Sequence, residues 1–424
     1  MAEYKNLSKE ELLSLRSELE KQYEEFKKLG LQLDMSRGKP NKAQLDLSSA
    51  ILDVFNSTSD VKSVDGTDTR NYGILTGIPE AKELFGELMG VPAKNTIIFG
   101  TASLTIMYDY ISQCMMFGCG DEPWIKQGNV KFLCPVPGYD RHFSILQHFG
   151  IEMINVKMND DGPDMDSIEE LVKDSSVKGI FCVPKYSNPD GITFSDEVVR
   201  RFAALKPHAK DFRVIWDNAY LVHGINDTPD ELLNIFDVAK EYGSEDMFIE
   251  VCSTSKISFA GAGVSALAAS DANIKAIQSR MTVQTISHDK MNQLRHARYF
   301  KNLDGIKEHM KKHAAILKPK FDTVTEGLTK AFEGTGIARW NNPNGGYFVS
   351  LFVMNGCAKR VGELCKEAGL TLTTVGATYP YGIDPDDSNI RIAPSFPDVD
   401  ELKKAVELLA VCVKLAAVEK LLDK

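Results

Sequence analysis

Between about residues 94 and 268 the chain alternates two kinds of segment, and this rhythm restricts the fold more than any other feature. Short apolar runs recur at 96–99, 130–136, 151–158, 179–183, 212–217, 248–252 and 264–268. Helical patterns at 103–116, 140–149, 167–173 and 196–204 separate most of them. Near-continuous apolar runs are strands buried on both faces, and their alternation with helices builds a mainly parallel sheet between helical layers. In such sheets ligands sit beyond the carboxyl ends of the strands. The polar residues that follow each run are therefore the place to look for chemistry.

The flanking regions read differently. Ser8 with Glu11 forms a capping-box pattern, Leu12, Leu15, Leu19, Tyr23 and Phe26 follow at helical spacing, and Gly30 is a stop signal. After residue 300 the order is helix (303–332), strand (345–351) and a closing amphipathic helix (398–422), the pattern of a smaller α/β unit. The expected organisation is an N-terminal segment, 1–60, joining a small C-terminal unit, 301–424, with a large unit, 61–300, between them.

Composition excludes several classes. A net charge of −10 argues against non-specific nucleic-acid binding. The charged start lacks the apolar stretch of a signal peptide, and no run approaches the ~20 apolar residues of a membrane span. Eight scattered cysteines without a C-x-x-C pair read as free thiols in a reducing compartment, with no metal site, and point to the cytoplasm.

At the strand ends the polar residues form a set. Ser253-Thr254-Ser255-Lys256 follows the run at 248–252. An exposed loop lysine is one reading. The other is a lysine in Schiff-base linkage to pyridoxal phosphate, with hydroxyls on the phosphate. Asp217, in Trp216-Asp217-Asn218-Ala219-Tyr220, suits a helix cap or a carboxylate set against a pyridine nitrogen. Asn188 lies in a turn-rich loop and offers an amide to a phenolate oxygen. Thr101, Ala102 and Ser103 open a helix, as an ordinary cap or as an anion site. Tyr139 supplies an aromatic ring that suits stacking. Arg391 stands in an apolar setting and needs a carboxylate partner, internal or from a substrate.

In this order and at these positions the set resembles the fold-type I pyridoxal-phosphate enzymes, and within them the class I aminotransferases. The segments Arg37-Gly38-Lys39-Pro40 and Lys256 to Gly263 are most similar to a bacterial aspartate aminotransferase branch. The resemblance implies a large domain with a seven-stranded sheet, a smaller α/β domain and a homodimer. Lys256 matches the Schiff-base lysine, Asp217 the partner of the pyridine nitrogen, and Asn188 and Tyr220 the pair on the ring oxygen. Tyr139 matches the stacked aromatic, and His142 a histidine supporting the aspartate. Thr101, Ala102, Ser103, Ser253 and Ser255 match the phosphate cradle, and Tyr72 a tyrosine reaching the partner subunit's cofactor. Arg391 matches the clamp on the substrate α-carboxylate, with Gly38 near it. The implied reaction is ping-pong transfer of an amino group from an L-amino acid, aspartate by resemblance, to 2-oxoglutarate. An aminotransferase of another specificity, or a β-lyase or decarboxylase on the same scaffold, is the rival.

One departure stands out. The family's phosphate-clamping arginine, about eight residues after the lysine, is missing from Gly261-Ala262-Gly263-Val264. Arg37, Arg141 and Arg295 are all open as the group for a substrate side-chain carboxylate. Gly261 to Ala266 fits a dinucleotide fingerprint, but a strand-like run passes straight through it, against a nicotinamide enzyme. His309 and His313, four residues apart, read as a solvated helix face and not as zinc ligands. The acidic start leaves no room for the DNA-binding unit of an aminotransferase-like regulator.

Overall fold

The structure is a computed structural model and describes residues 3–423. The chain opens with α1 (Lys9–Lys28), whose capping box between Ser8 and Glu11 is fully formed. Leu12, Leu19 and Tyr23 make its buried stripe. Short β1 (Leu33–Asp34) and α2 (Lys42–Asp46) follow, and α3 (Pro79–Met89) leads into the sheet.

The sheet region runs β2 (Thr96–Ile98), α4 (Ser103–Phe117), β3 (Lys131–Val136), α5 (Asp140–His148), β4 (Glu152–Asn159), β5 (Gly162–Pro163), α6 (Met165–Leu171) and β6 (Val177–Cys182). It continues with α7 (Asp196–Ala204), β7 (Arg213–Asp217), α8 (Ile235–Tyr242), β8 (Phe248–Ser253) and β9 (Ser265–Ala269). The spatial order is β2-β9-β8-β7-β6-β3-β4-β5. Each of the seven apolar runs contributes a strand. The sheet is one strand wider than the expected seven, because Gly162 and Pro163 fold back on the end of β4 without an apolar run of their own.

Strands β3, β4, β6, β7 and β8 are parallel, and β9 runs against both β8 and β2. Cys182 pairs with Trp216 and Asp217 with Val251, so β6, β7 and β8 end at one level. Since β9 opposes both neighbours, β2 also points its carboxyl end to this edge. The Gly100–Ser103 segment, the Asn188 loop, Asp217 and Lys256 therefore meet along one rim of the sheet.

Helices α9 (Asp271–Gln284) and α10 (Lys290–Phe300) close this layer, and the 30-residue α11 (Leu303–Phe332) leaves it. Ile306 and Met310 of α11 pack into the core of the large sheet, while Leu317, Phe321, Val324 and Leu328 pack into a second core. That second core is built from α1, β10 (Ala338–Trp340), β11 (Val349–Val353), α12 (Ala358–Glu367), β12 (Leu370–Thr371), β13 (Asn389–Ile392) and α13 (Val399–Leu422). β11 sits between β10 and β13, both antiparallel to it, and its register sets Ser350 opposite Arg391. β1 pairs with β12, so the N-terminal segment joins the second core. The architecture is α/β, as expected.

Candidate active site

A cavity of about 490 Å³ opens at the carboxyl edge of the large sheet. Gly38, Ser103, Tyr139, Asn188, Asp217, Tyr220, Lys256 and Arg391 all line it. A larger groove of about 790 Å³ between α1, α11 and α13 holds none of the candidate site residues read from the sequence.

The floor is set by Asp217 and Lys256. Asp217 ends β7, and its Oδ2 lies 2.9 Å from His142 Nε2. His142 is held by stacking on Phe181 at 4.4 Å between ring centroids, and Tyr139 meets it edge-on. Asp217 Oδ1 is buried with no hydrogen-bond partner. A buried carboxylate oxygen left without a donor costs ~1–3 kcal/mol or more. The atom fits a protonated ring nitrogen.

Lys256 sits on the one-turn helix Thr254–Lys256 directly after β8. It opens only partly, into the cavity, with its Nζ 4.9 Å from the centroid of the Tyr220 ring. Desolvation pushes the amine below the ordinary lysine range, and the Asp217 carboxylate opposes this. A lysine that sheds its proton readily can act as a nucleophile and a base. Burial, with Asp217 and Asp140 adding, pushes the Tyr139 phenol up to about 12. Tyr220 is raised as well, chiefly by burial.

Thr101, Ala102, Ser253 and Ser255 do not line the cavity directly, but they and Ser103 gather at one corner beside it. The Ser253 and Ser255 hydroxyls reach the Thr101 carbonyl at 2.7 and 3.0 Å and lie 2.7 Å from each other. Ala102 caps α4 without a side-chain bond, so the first amides of that helix have no side-chain acceptor at the cap. Val264, the last residue of the stretch in which the resemblance leads one to expect an arginine, is buried at the entry to β9. Gly263 beside it lies so close to Ser255 that a Cβ would meet the Ser255 backbone nitrogen at 2.9 Å.

Arg391 on β13 forms the rim. Its Nη1 donates to Asp140 Oδ1 at 2.9 Å and to Asn188 Oδ1 at 3.2 Å, and its Nε to Thr373 Oγ1 at 3.3 Å. The guanidinium lies 4.8 Å from the centre of the Phe348 ring. A Cβ at Gly38 would collide with that ring, so any larger residue there would have to displace Phe348. Arg37 and Arg141 line the cavity; Arg295 does not, and bonds the Asn292 side chain instead. Tyr72 lies outside the cavity and is 79% exposed.

Three contributors were not read from the sequence: Asp140, Phe348 and Thr373. Asp140 opens α5 and looks like an ordinary acidic residue at a helix start. One expectation is corrected. His309 and His313 are not on a solvated face but are buried, 5% and 1% exposed. The two imidazoles face the backbone beside Lys256. Among the described residues, no cluster of three or more metal-ligating side chains exists.

This order of strands, with a lysine and a carboxylate at their ends and an arginine across the cavity, defines a fold-type I aminotransferase. The aspartate amino-transferase family model spans residues 7–424, and the chain belongs to that family. It is 46% identical over 95% of its length to an aspartate aminotransferase of Corynebacterium glutamicum, covering 93% of that protein. The crystal structure of an aspartate transaminase from that organism superposes with a TM-score of 0.96 at 45% identity, covering 98% of this chain and 99% of the other. A putative aminotransferase of Mycolicibacterium smegmatis is 45% identical over 99% of both chains. An α-aminoadipate aminotransferase from Thermus thermophilus, crystallised with N-(5′-phosphopyridoxyl)-L-leucine, shares the fold at a TM-score of 0.74 and 18% identity, over 92% of this chain and 93% of that one.

Proposed function

We propose that this aminotransferase carries pyridoxal phosphate on Lys256 and moves the amino group of L-aspartate to 2-oxoglutarate, as a cytoplasmic homodimer. The observation that carries the reading is Asp217: one oxygen on His142, the other buried without a partner, on a residue that lines the same cavity as Lys256. Bound there, pyridoxal phosphate supplies an electron sink for a carbanion and a carbonyl that takes up the amino group.

The side chains then have defined tasks. Lys256 Nζ takes the proton from the substrate Cα and returns it on the other side of the transfer. Asp217 Oδ1 holds a proton on the ring nitrogen, and His142 fixes the carboxylate that does so. Asn188 has its carbonyl oxygen on Arg391, which leaves its amide NH₂ as a donor to the ring oxygen alongside Tyr220. Tyr139 covers the ring. Ser103, Ser253, Ser255 and the amides near Thr101 and Ala102 receive the phosphate, and Tyr72 of a second subunit completes the site. Arg391 takes the α-carboxylate with its planar fork. Arg37 and Arg141, which reach the cavity, are the groups for the second carboxylate.

Borohydride reduction and peptide mapping test the assignment: the label is expected on Lys256, and a label elsewhere overturns it. A panel of amino acids tests the substrate. Preference for alanine or an aromatic amino acid over aspartate in kcat/KM removes the dicarboxylate reading. Release of ammonia or carbon dioxide without keto-acid-dependent transfer removes the transaminase reading of this site. Light scattering that shows an active monomer removes the homodimer.

A further inference from the structure

The turn that carries Lys256 is gripped from behind by a buried polar chain drawn from three other parts of the molecule. The carbonyl of Ile257, the residue after the lysine, lies 3.0 Å from His309 Nε2 and 3.4 Å from Ser48 Oγ. His309 Nε2 is 3.2 Å from Nε2 of His313, one turn further along α11. His313 Nδ1 is 3.2 Å from Gln44 Nε2 on α2. Gln44 Oε1 accepts the Asn41 backbone amide at 3.2 Å, and this fixes which end of the Gln44 amide is the donor.

The bonding pattern then follows. Gln44 Nε2 donates both to His313 Nδ1 and, at 3.0 Å, to the Tyr347 hydroxyl. His313 Nδ1 must be the bare nitrogen, so its proton sits on Nε2, facing the Ile257 carbonyl and His309 Nε2. His309 Nε2, which also lies 3.1 Å from Ser48 Oγ, either accepts a proton there or donates its own to the Ile257 carbonyl. In either tautomer an imidazole N–H of the pair is available to that carbonyl. The Tyr347 ring centroid lies 5.8 Å from Lys256 Nζ. Gln44 is thus one node with two arms. One arm reaches the backbone beside the lysine through two histidines; the other reaches the lysine's amine through an aromatic ring. Gln44 and Ser48 are fully buried. Burial drives His313 down to about 4 and lowers His309, so the imidazoles are neutral near pH 7.

A cluster of this kind is a costly way to fill space. Apolar side chains of similar volume would pack the junction without desolvating two imidazoles and an amide. We propose that the Gln44–His313–His309 chain is a positioning device for Lys256, fixing the carbonyl of Ile257 and the Tyr347 ring so that the amine is aimed at the reacting carbon. The inference rests on Lys256 being the cofactor-bearing lysine. A displacement of ~1 Å at a reacting group costs about 100-fold in rate, so a backbone clamp next to the lysine matters.

The test uses the cofactor-loaded enzyme and three variants: His309→Leu, His309→Gln and Gln44→Leu. Gln places a polar group near the site of Nε2 and serves as the rescue. His309→Leu and Gln44→Leu are each expected to lower kcat about tenfold, with KM for both substrates changed less than about twofold. They are also expected to move the pH midpoint of the visible absorbance band of the bound cofactor by at least about half a unit, while His309→Gln recovers most of both effects. Gln44→Leu acts from a different element, so it keeps the proposal testable if His309→Leu does not fold. Folded, loaded variants with the parent's kcat and midpoint overturn the inference. So does a loss of melting temperature with neither quantity changed. If the parent itself shows no label on Lys256, the functional reading fails and the inference with it; a labelled parent with unshifted variants overturns the inference alone.

Discussion

The floor of the cavity and its rim are both built from charged side chains, yet they are finished differently. On the floor, Asp217 keeps one buried oxygen without a donor, and Lys256 is held where desolvation disfavours its charge. On the rim, Arg391 is already served by Asp140, Asn188 and Thr373 and lies against Phe348. An unmet buried acceptor is a standing cost that a resident group relieves. A met arginine costs little when empty, and a carboxylate arriving there exchanges one partner for another. The floor is built for something that stays and the rim for something that comes and goes.

The largest test of that contrast is Lys256→Ala. On the proposed reading it removes the attachment point and the proton carrier together, and turnover is expected to fall by at least about 10³-fold while cofactor still binds. Absorbance of the purified variant reads the binding, and a coupled keto-acid assay reads the rate. Retained turnover would place the chemistry on another residue.

Arg391→Lys comes next. A lysine keeps the charge but not the planar fork, and it cannot hold Asp140, Asn188 and Thr373 in the same geometry. The expected outcome is a loss of about 10²-fold in kcat/KM for every amino acid, whatever its side chain. The same substitution should shift the visible band of the bound cofactor only slightly, through Asn188, because Asp217 and Lys256 do not touch Arg391. A loss confined to aspartate and glutamate would move Arg391 from the α-carboxylate to the side-chain carboxylate.

Asp140→Asn isolates the exchange at the rim. Asp140 competes with an incoming carboxylate for Arg391, so its neutralisation is expected to lower KM by about two- to threefold across amino acids. A KM raised instead would show that Asp140 orients the arginine more than it competes for it. Steady-state kinetics with several donors decide between the two.

The same division governs what the sequence reveals. The floor was legible because a parallel sheet buried on both faces writes its strands as apolar runs, and the polar residue ending each run stands out. Asp217, Asn188 and Lys256 are such residues. The rim was less legible. Arg391 stood out in an apolar setting, but Asp140 looks like any acid at a helix start, and Thr373 and Phe348 enter through the packing of the second core on the first. The buried histidines show a different failure. His309 and His313 fall on the same stripe of α11 as Ile306, Met310, Leu317 and Phe321, all buried. The spacing held the information, but a pair four residues apart without the H-E-x-x-H order speaks only against zinc. Periodicity carried through the whole helix would have placed them inward.

The smallest expected effects are in the pH dependence of stability, where the two sides of the site have opposite signs. Behind the floor, burial lowers His313 to about 4 and His296 also to about 4, from an ordinary value near 6.5. These groups bind fewer protons folded than unfolded, so their contribution is present above about pH 6.5 and is lost as pH falls toward 4. In the Asn188 loop, burial raises Asp190 to about 7, with Ser350 and Arg339 opposing. It binds more protons folded than unfolded, so its contribution is full below about pH 4 and is lost as pH rises through 7. Between pH 4 and 6.5 the two trends partly cancel. Removing one should expose the other: Asp190→Asn is expected to steepen the fall in melting temperature on acidification, and His313→Gln to flatten it. The changes should be on the order of 1–2 °C per kcal/mol for a chain of this length. Calorimetry of the apoprotein from pH 4.5 to 7.5 reads both slopes without the cofactor's own titration. Two variants whose slopes move in the same direction would show that these buried groups do not set the acid limb, and that the carboxylates paired elsewhere on the chain do.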